Sequence, residues 1–234
     1  MKLGIMQPYF FPYIGYFQLI RAVDKFVIYD DGKFRKYGWI NRNRILLDGR
    51  DYMFTIPLAH SSPNILIKDT YIHRDLYKFF KTKFMKQLKQ SYGKAPFFDA
   101  VYELVRQVLE SEDRLISLLA LNSIKSVCQY INLNTPFVDS STIYENNHLP
   151  AQERILDICK KEGADTYINL PGGMELYDKK VFAEYGVNLF FIKSKPISYE
   201  QAGNEFVPWL SIIDVLMFNS VNEVREMLDN YELL

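Results

Sequence analysis

The sequence predicts an α/β fold built on a mainly parallel, Rossmann-like sheet, with an appended β-hairpin region and a helical insertion. Three observations predict it. The first thirty residues read strand, helix, strand, the signature of a βαβ unit with parallel strands. From Asp75 to Ile131 the apolar residues recur at helical spacing. Beyond Pro136 short apolar runs alternate again with helix-like segments, the order expected of a parallel sheet covered by helices.

The elements follow in order. Leu3–Met6 is an apolar strand stopped by Gln7-Pro8 and followed by the aromatic loop Tyr9-Phe10-Phe11-Pro12-Tyr13. Gly15 to Val23 fits a helix through Phe17, Ile20 and Val23, and Lys25–Tyr29 is a β-branched and aromatic strand ending at Asp30-Asp31-Gly32. Trp39–Leu47, the turn Asp48-Gly49, Tyr52–Leu58 and Ile65–Ile72 read as extended segments of a hairpin region. Helices are expected over Asp75–Ser91, Pro96–Glu110 and Asp113–Ile131, the last apolar around most of its circumference and therefore buried. Then come strand Pro136–Val138, helix Pro150–Glu162, strand Thr166–Asn169 closed by Pro171-Gly172-Gly173, helix Lys179–Tyr185 and strand Val187–Ile192. Helices near Ser211–Phe218 and Val221–Leu228 finish the chain, Ser220 being a good N-cap for the second. The expectation is one α/β domain over 1–234, with about 33–72 and 75–131 as insertions.

Composition narrows function. The 234 residues carry 28 Lys+Arg and 28 Asp+Glu, a balance that argues against a general nucleic-acid or membrane-surface binder. At 48% hydrophobic and 24% charged the chain is globular in type. No apolar run reaches the roughly 18 residues of a membrane span, and the N-terminus lacks the apolar core of a signal peptide, so a cytoplasmic protein is expected. Cys128 and Cys159 lie in helix-like patterns and read as buried thiols. The 17 Phe, 17 Tyr and 2 Trp exceed the needs of a core and would suit a polar-aromatic pocket or a homodimer interface.

In a parallel α/β sheet, ligands bind where strands end and helices begin. Gln7 with the loop to Gly15, the pair Asp30-Asp31, and Asn169 with Gly172 and Gly173 all fall at such points. Gly15 near a helix start could offer N–H groups to a phosphate, or serve only a tight turn. Tyr13-Ile14-Gly15-Tyr16 stands where adenylyl-transferring enzymes carry HxGH, with tyrosine replacing both histidines. On an extended Trp39–Leu47, Arg42 and Arg44 share one face and Asn41 and Asn43 the other, so the guanidinium groups could clamp a diphosphate while Trp39 stacks on a base or sugar. Asp30 and Asp31, facing opposite ways, could hold an amine, a hydroxyl or Mg²⁺. His60 at a strand end is a candidate general base, and the three histidines have no zinc-ligand spacing. Ser211 is a candidate N-cap with Asp214 at the capping-box position; otherwise both oxygens face the cleft. No P-loop, GxGxxG or GxSxG occurs.

Several of these segments together resemble the WbqC-like family of bacterial proteins. The carriers are Ile5-Met6-Gln7-Pro8-Tyr9-Phe10-Phe11-Pro12-Tyr13-Ile14-Gly15-Tyr16-Phe17, Val27-Ile28-Tyr29-Asp30-Asp31, Trp39-Ile40-Asn41-Arg42-Asn43-Arg44-Ile45, and Tyr92-Gly93-Lys94-Ala95-Pro96-Phe97-Phe98. They continue with Gly172-Gly173, Tyr177, Phe182 and Phe206–Asp214. Met6 stands where many relatives carry histidine, so no role passes through that position. The resemblance implies a place in O-antigen, lipopolysaccharide or other surface-polysaccharide biosynthesis. With it comes an acyl or aminoacyl transfer, glycyl among the candidates, to the amine of a nucleotide-diphosphate amino sugar from an unidentified acyl donor. In that scheme Asp30 takes the amine proton and Asn41 or the backbone near Gly15 stabilises the oxyanion, while no cofactor is evident. The alternatives are a non-catalytic sugar-nucleotide binder or assembly protein, and a nucleotidyltransferase-like enzyme using ATP and Mg²⁺.

Overall fold

A computed structural model describes residues 1–59, 64–201 and 205–234. In chain order it contains β1 (Lys2–Met6), α1 (Ile14–Ala22), β2 (Lys25–Ile28), β3 (Arg42–Leu47), β4 (Arg50–Thr55), α2 (Arg74–Tyr92), α3 (Phe98–Glu110) and α4 (Ile116–Tyr130). After these come β5 (Phe137–Val138), α5 (Ala151–Glu162), β6 (Thr166–Asn169), α6 (Lys179–Glu184), β7 (Asn188–Ser194), α7 (Ile212–Phe218), α8 (Val221–Leu228) and β8 (Tyr231–Leu233).

The main sheet has the order β5-β2-β1-β6-β7-β8, parallel except for β8. The pleat sorts the side chains onto two faces. Leu3, Ile5, Val27, Tyr167, Leu189 and Phe191 meet α5 and α6 in one core. Phe26, Ile28, Ile168 and Ile192 meet α1, the α2–α4 layer and α7 in the larger one. A mainly parallel sheet covered on both faces is the predicted architecture.

The hairpin is a separate sheet. β3 and β4 pair from Arg42↔Thr55 to Leu47↔Arg50, around Asp48 (φ 52°) and Gly49 (φ 74°), the left-handed pair that a two-residue hairpin turn requires. Its inner side chains Asn43, Ile45 and Phe54 are buried, and Phe54 packs on Phe84 of α2 at 4.5 Å between ring centres.

Two segments differ from expectation. Ile65–Ile72 is not a strand; it holds a 3-10 turn at Ile67–Asp69 and isolated bridges Lys33↔Leu66 and Leu58↔Ile72. The Thr70 hydroxyl donates to the Leu66 carbonyl, and the Ile67 and Lys68 N–H groups donate to the Gly32 and Asp30 carbonyls, so a strand ladder has no groups left to use. Tyr231–Leu233 is an edge strand antiparallel to β7, too short to show a period of its own.

The aromatic loop after β1 ties these parts together. Phe10 N donates to Ile40 O (3.1 Å) and Phe11 N to the Ser123 hydroxyl of α4 (3.0 Å). The Phe11 carbonyl accepts from Asn43 Nδ2 (2.6 Å) and Ser211 Oγ (2.7 Å), and the Pro12 carbonyl from Ile212 N (2.9 Å). Hairpin, helical insertion and C-terminal helix thus each satisfy part of one buried backbone. Removing Asn43's amide orphans a buried carbonyl contact and the Arg44 N–H it accepts, so Asn43→Ala is expected to cost about 1–3 kcal/mol. A urea titration checks this, with the midpoint falling and the slope unchanged.

Candidate functional site

Candidate acids, amides and hydroxyls lie at or just beyond the carboxyl ends of β1, β2, β5 and β6. Tyr29 N extends the β1 pairing by donating to Met6 O, after which Asp30 and Asp31 turn toward the segment following β5. Asp30 Oδ1 accepts from Ser140 Oγ (2.8 Å) and Ser141 N (3.1 Å). Asp31 accepts from the Ser141 hydroxyl and forms a buried ion pair with Arg154 of α5. The Arg154 Nη2 that faces Asp31 makes a charge contact without a hydrogen-bond direction, while Nε donates to Asn146 Oδ1 (2.9 Å) and Nη1 to the Tyr29 phenol (2.9 Å). The guanidinium also lies 4.6 Å from the Tyr29 ring centre.

Two adjacent carboxylates therefore sit in different environments. Asp31 is paired with a cation, whereas Asp30 has only neutral donors, and burial raises its pKa against those hydrogen bonds. Ser140, Ser141 and Arg154 were not among the sequence candidates. Ser140 and Ser141 follow the end of β5, so the strand-end rule that found Asp30 could have found them.

β1 lies between β2 and β6, where the strand order reverses, which is the usual ligand crevice of an open α/β sheet. Half-buried Gln7 projects there, its carbonyl accepting from the Tyr16 hydroxyl (2.9 Å) and its amide lying beside Gly32. Asn169 is buried, and its Oδ1 accepts from Leu170 N (2.7 Å). Gly173 is needed for the close approach, since a Cβ there would stand 2.6 Å from Asn169 Nδ2; Gly172 is exposed with open space around it.

At the start of α1 the Tyr13 ring lies over Gly15. A Cβ on Gly15 would stand 2.4 Å from that ring and 2.8 Å from Ser194 Oγ, so packing accounts for the glycine. Tyr16 is fully buried, and the Tyr13 phenol is pushed up to about 12 by burial.

The hairpin face carries the cations as the alternation predicts. Asn41 Nδ2 donates to Ile56 O (2.8 Å) and Asn43 to the aromatic loop, so both asparagines hold backbone. Arg42 Nε donates to Gly38 O (2.8 Å) and its Nη2 to Tyr37 O, and the guanidinium lies 5.7 and 5.6 Å from the Tyr37 and Trp39 ring centres. Arg44 pairs with Asp51 (3.1 Å), reaches the Trp209 carbonyl (3.3 Å) and faces Trp39 at 5.7 Å. Trp209 in turn packs edge-on to Tyr13 at 6.1 Å. Tyr37 (φ 70°) and Trp209 (φ 61°) hold left-handed conformations rare for bulky residues, although both rings are exposed. Trp209 and Tyr37 join the candidates on that signal.

Ser211 caps α7, donating to Phe11 O and accepting from Ile213 N (3.3 Å). Asp214 is not a capping acid. Fully buried, it accepts from Tyr92 Oη (2.9 Å), Tyr199 Oη (2.7 Å) and Gln201 Nε2 (2.7 Å), and burial raises its pKa. His60 lies outside the described residues. Two surface concavities, of about 790 and 500 Å³, flank α8, and none of the candidate residues lines either.

The model of the WbqC-like protein family matches residues 7–226. The chain belongs to the WbqC-like family. A relative within the curated proteins, the uncharacterized protein Rv1507c of Mycobacterium tuberculosis (strain ATCC 25618 / H37Rv), is 30% identical over 230 residues, covering 97% of each chain. No solved structure matches. In this WbqC-like protein the residues that carry the family resemblance include the aromatic loop and the Asn43 and Ser211 groups that bond to it.

Breaking the buried Asp31–Arg154 pair from one side leaves an uncompensated charge. Arg154→Met is expected to cost about 3–5 kcal/mol, and adding Asp31→Asn should recover much of it in a double-mutant cycle. Asp214 gives a pH signature. Its folded-state pKa lies above its unfolded one, so its contribution is full below the unfolded value and is lost as pH rises through the folded one. Urea unfolding from about pH 4 to 8 should show wild type losing stability relative to Asp214→Asn as pH rises.

Proposed function

We propose that this protein transfers an acyl or aminoacyl group to the amine of a nucleotide-diphosphate amino sugar, in the cytoplasmic stage of surface-polysaccharide biosynthesis. The observation that supports it is the contrast at the end of β2. Asp30 is a carboxylate without a cationic partner and with a raised pKa, at the ligand edge of the sheet, beside an Asp31 whose charge Arg154 cancels. A buried carboxylate whose charge nothing cancels, at a ligand edge, suits a proton acceptor.

Arg42 and Arg44 take the diphosphate, with Trp39, Tyr37, Tyr13 and Trp209 packing on base or sugar. Both arginines stand on the outward face of a hairpin that packs on the loop leaving β1, which supports placing the diphosphate there. Asp30 accepts the amine proton as nitrogen attacks the acyl carbonyl, and the tetrahedral intermediate then collapses with loss of the donor's leaving group. Because Asn41, Asn43 and Gly15 serve backbone and packing, the side-chain amide of Gln7, which lies beside Gly32, replaces Asn41 as oxyanion donor in this reading. Both cysteines are buried with thiols pushed up to about 12, which disfavours an acyl group carried on the chain itself.

The burial of Asp30 also favours a second reading, a sugar-nucleotide binder without turnover. Mass spectrometry of UDP- and dTDP-linked amino sugars incubated with acyl thioester and aminoacyl donors separates the two. For the transferase, Asp30→Asn should lower kcat by about 10²–10⁴ while leaving nucleotide affinity intact, and should abolish the acid limb on which the rate rises with pH. Arg42→Ala should weaken ligand binding about 10–100-fold, as loss of a charge-assisted contact implies. Saturable binding with no product from any donor would establish the binder.

A further inference from the structure

We propose that α2 is a docking face for an anionic lipid bilayer surface. Its 19 residues include Arg74, Lys78, Lys81, Lys83, Lys86 and Lys89 against the single acid Asp75. The chain as a whole is neutral, so the balanced total conceals one strongly basic helix set against an acidic remainder.

Packing fixes which way that charge points. Tyr77, Phe84, Leu88 and Tyr92 turn into the core, and Phe54 of the hairpin packs on Phe84. At 100° per residue the opposite stripe is centred on Phe79, with Lys86, Gln90, Asp75, Lys83 and Thr82 around it and Leu76 at its edge. Phe79 is 73% exposed beside Lys83 and Lys86, and Leu76 is 50% exposed at the stripe's margin. Within the helix only Lys78 has an ion pair, at 3.5 Å to Asp75, and Arg74, Lys86 and Lys89 pair with no described residue. Lys81 lies over the Tyr77 ring at 5.3 Å and Lys83 bonds the Tyr52 phenol, so Arg74, Lys86 and Lys89 are the cations left for something outside the chain.

Charge complementarity asks for a polyanionic surface, and the exposed Phe79 and Leu76 decide its kind. A nucleic-acid backbone offers nothing for an isolated leucine, and recognition of individual phosphates favours arginine forks over the five lysines found here. A bilayer interface satisfies both components, lysines at the headgroups and a phenyl ring at the acyl boundary. The helix is amphipathic in two senses, its inner face holding the protein core and its outer face the membrane. This inference is independent of the catalytic reading, since no residue of the proposed nucleotide site lies on α2.

Sedimentation of the full chain with vesicles tests it. Binding is expected to vesicles containing phosphatidylglycerol and not to pure phosphatidylcholine, with loss as salt rises. Lys83→Glu with Lys86→Glu should reduce partitioning by about thirtyfold or more. Phe79→Ser, which leaves the charge unchanged on an exposed position, should reduce it several-fold, and circular dichroism should report both variants folded. Failure to bind anionic vesicles overturns the proposal. So does binding that ignores Phe79→Ser while an RNA or DNA oligonucleotide competes for the same lysines, an outcome that would assign α2 to nucleic acid.

Discussion

The hairpin, the helical layer and α7 are tied to the sheet by the need to satisfy the backbone of one buried loop. Residues 9–13 leave β1 as aromatic and proline-rich chain that belongs to no helix or strand, and two of those residues are fully buried phenylalanines. Their N–H and C=O groups cannot reach water, so each needs a protein partner. Ile40 and Asn43 from the hairpin, Ser123 from α4, and Ser211 and Ile212 from the start of α7 provide them. Phe11 accepts a left-handed φ of 43° to meet those partners. One loop thereby fixes where the arginine face, the helical layer and the C-terminal helix stand relative to the parallel sheet.

On that frame the acids divide by what neutralises them. Asp31 has Arg154, and the pair is tied to Tyr29 and Asn146 so that no part of the guanidinium is idle. Asp30 and Asp214 have only hydroxyl, amide and backbone donors, and burial dominates both. Their positions give the same physics different uses. Asp214 is enclosed by Tyr92, Tyr199 and Gln201 and closes α2, α7 and the segment before α7 onto one another. Asp30 stands at the end of a strand, where a parallel sheet opens to ligands.

The sheet was legible because its strands are buried on both faces and bounded by turn chemistry. Thr166–Asn169 and Val221–Leu228 are found as read, and the alternation that set Arg42 and Arg44 apart from Asn41 and Asn43 survives in the burial of β3. Local pattern misled where tertiary partners decide conformation. Ile65–Ile72 has the residues of a strand, but Thr70 and the carbonyls of the acid turn take its hydrogen bonds. Of the candidate site, the strand-end rule located Gln7, Asp30, Asp31 and Asn169. It could not show that Gly15 lies under Tyr13, that Asn41 and Asn43 spend their amides on backbone, or that Asp214 meets a tyrosine 122 residues away. Apart from the Tyr13–Gly15 contact, these join segments separated along the chain, and nothing in their local sequence encodes the partner.

The central claim is that the carboxyl edge and arginine hairpin of this WbqC-like protein receive a sugar nucleotide. A thermal-shift titration against UDP, dTDP, GDP, CDP and ATP with Mg²⁺ tests it most directly, because a ligand bound only by the native state raises the melting temperature. The account predicts a rise of about 5–10 °C at a hundredfold excess over Kd with UDP or dTDP, and none with ATP. A rise with ATP alone, or one with UDP that Arg42→Ala leaves unchanged, would contradict it.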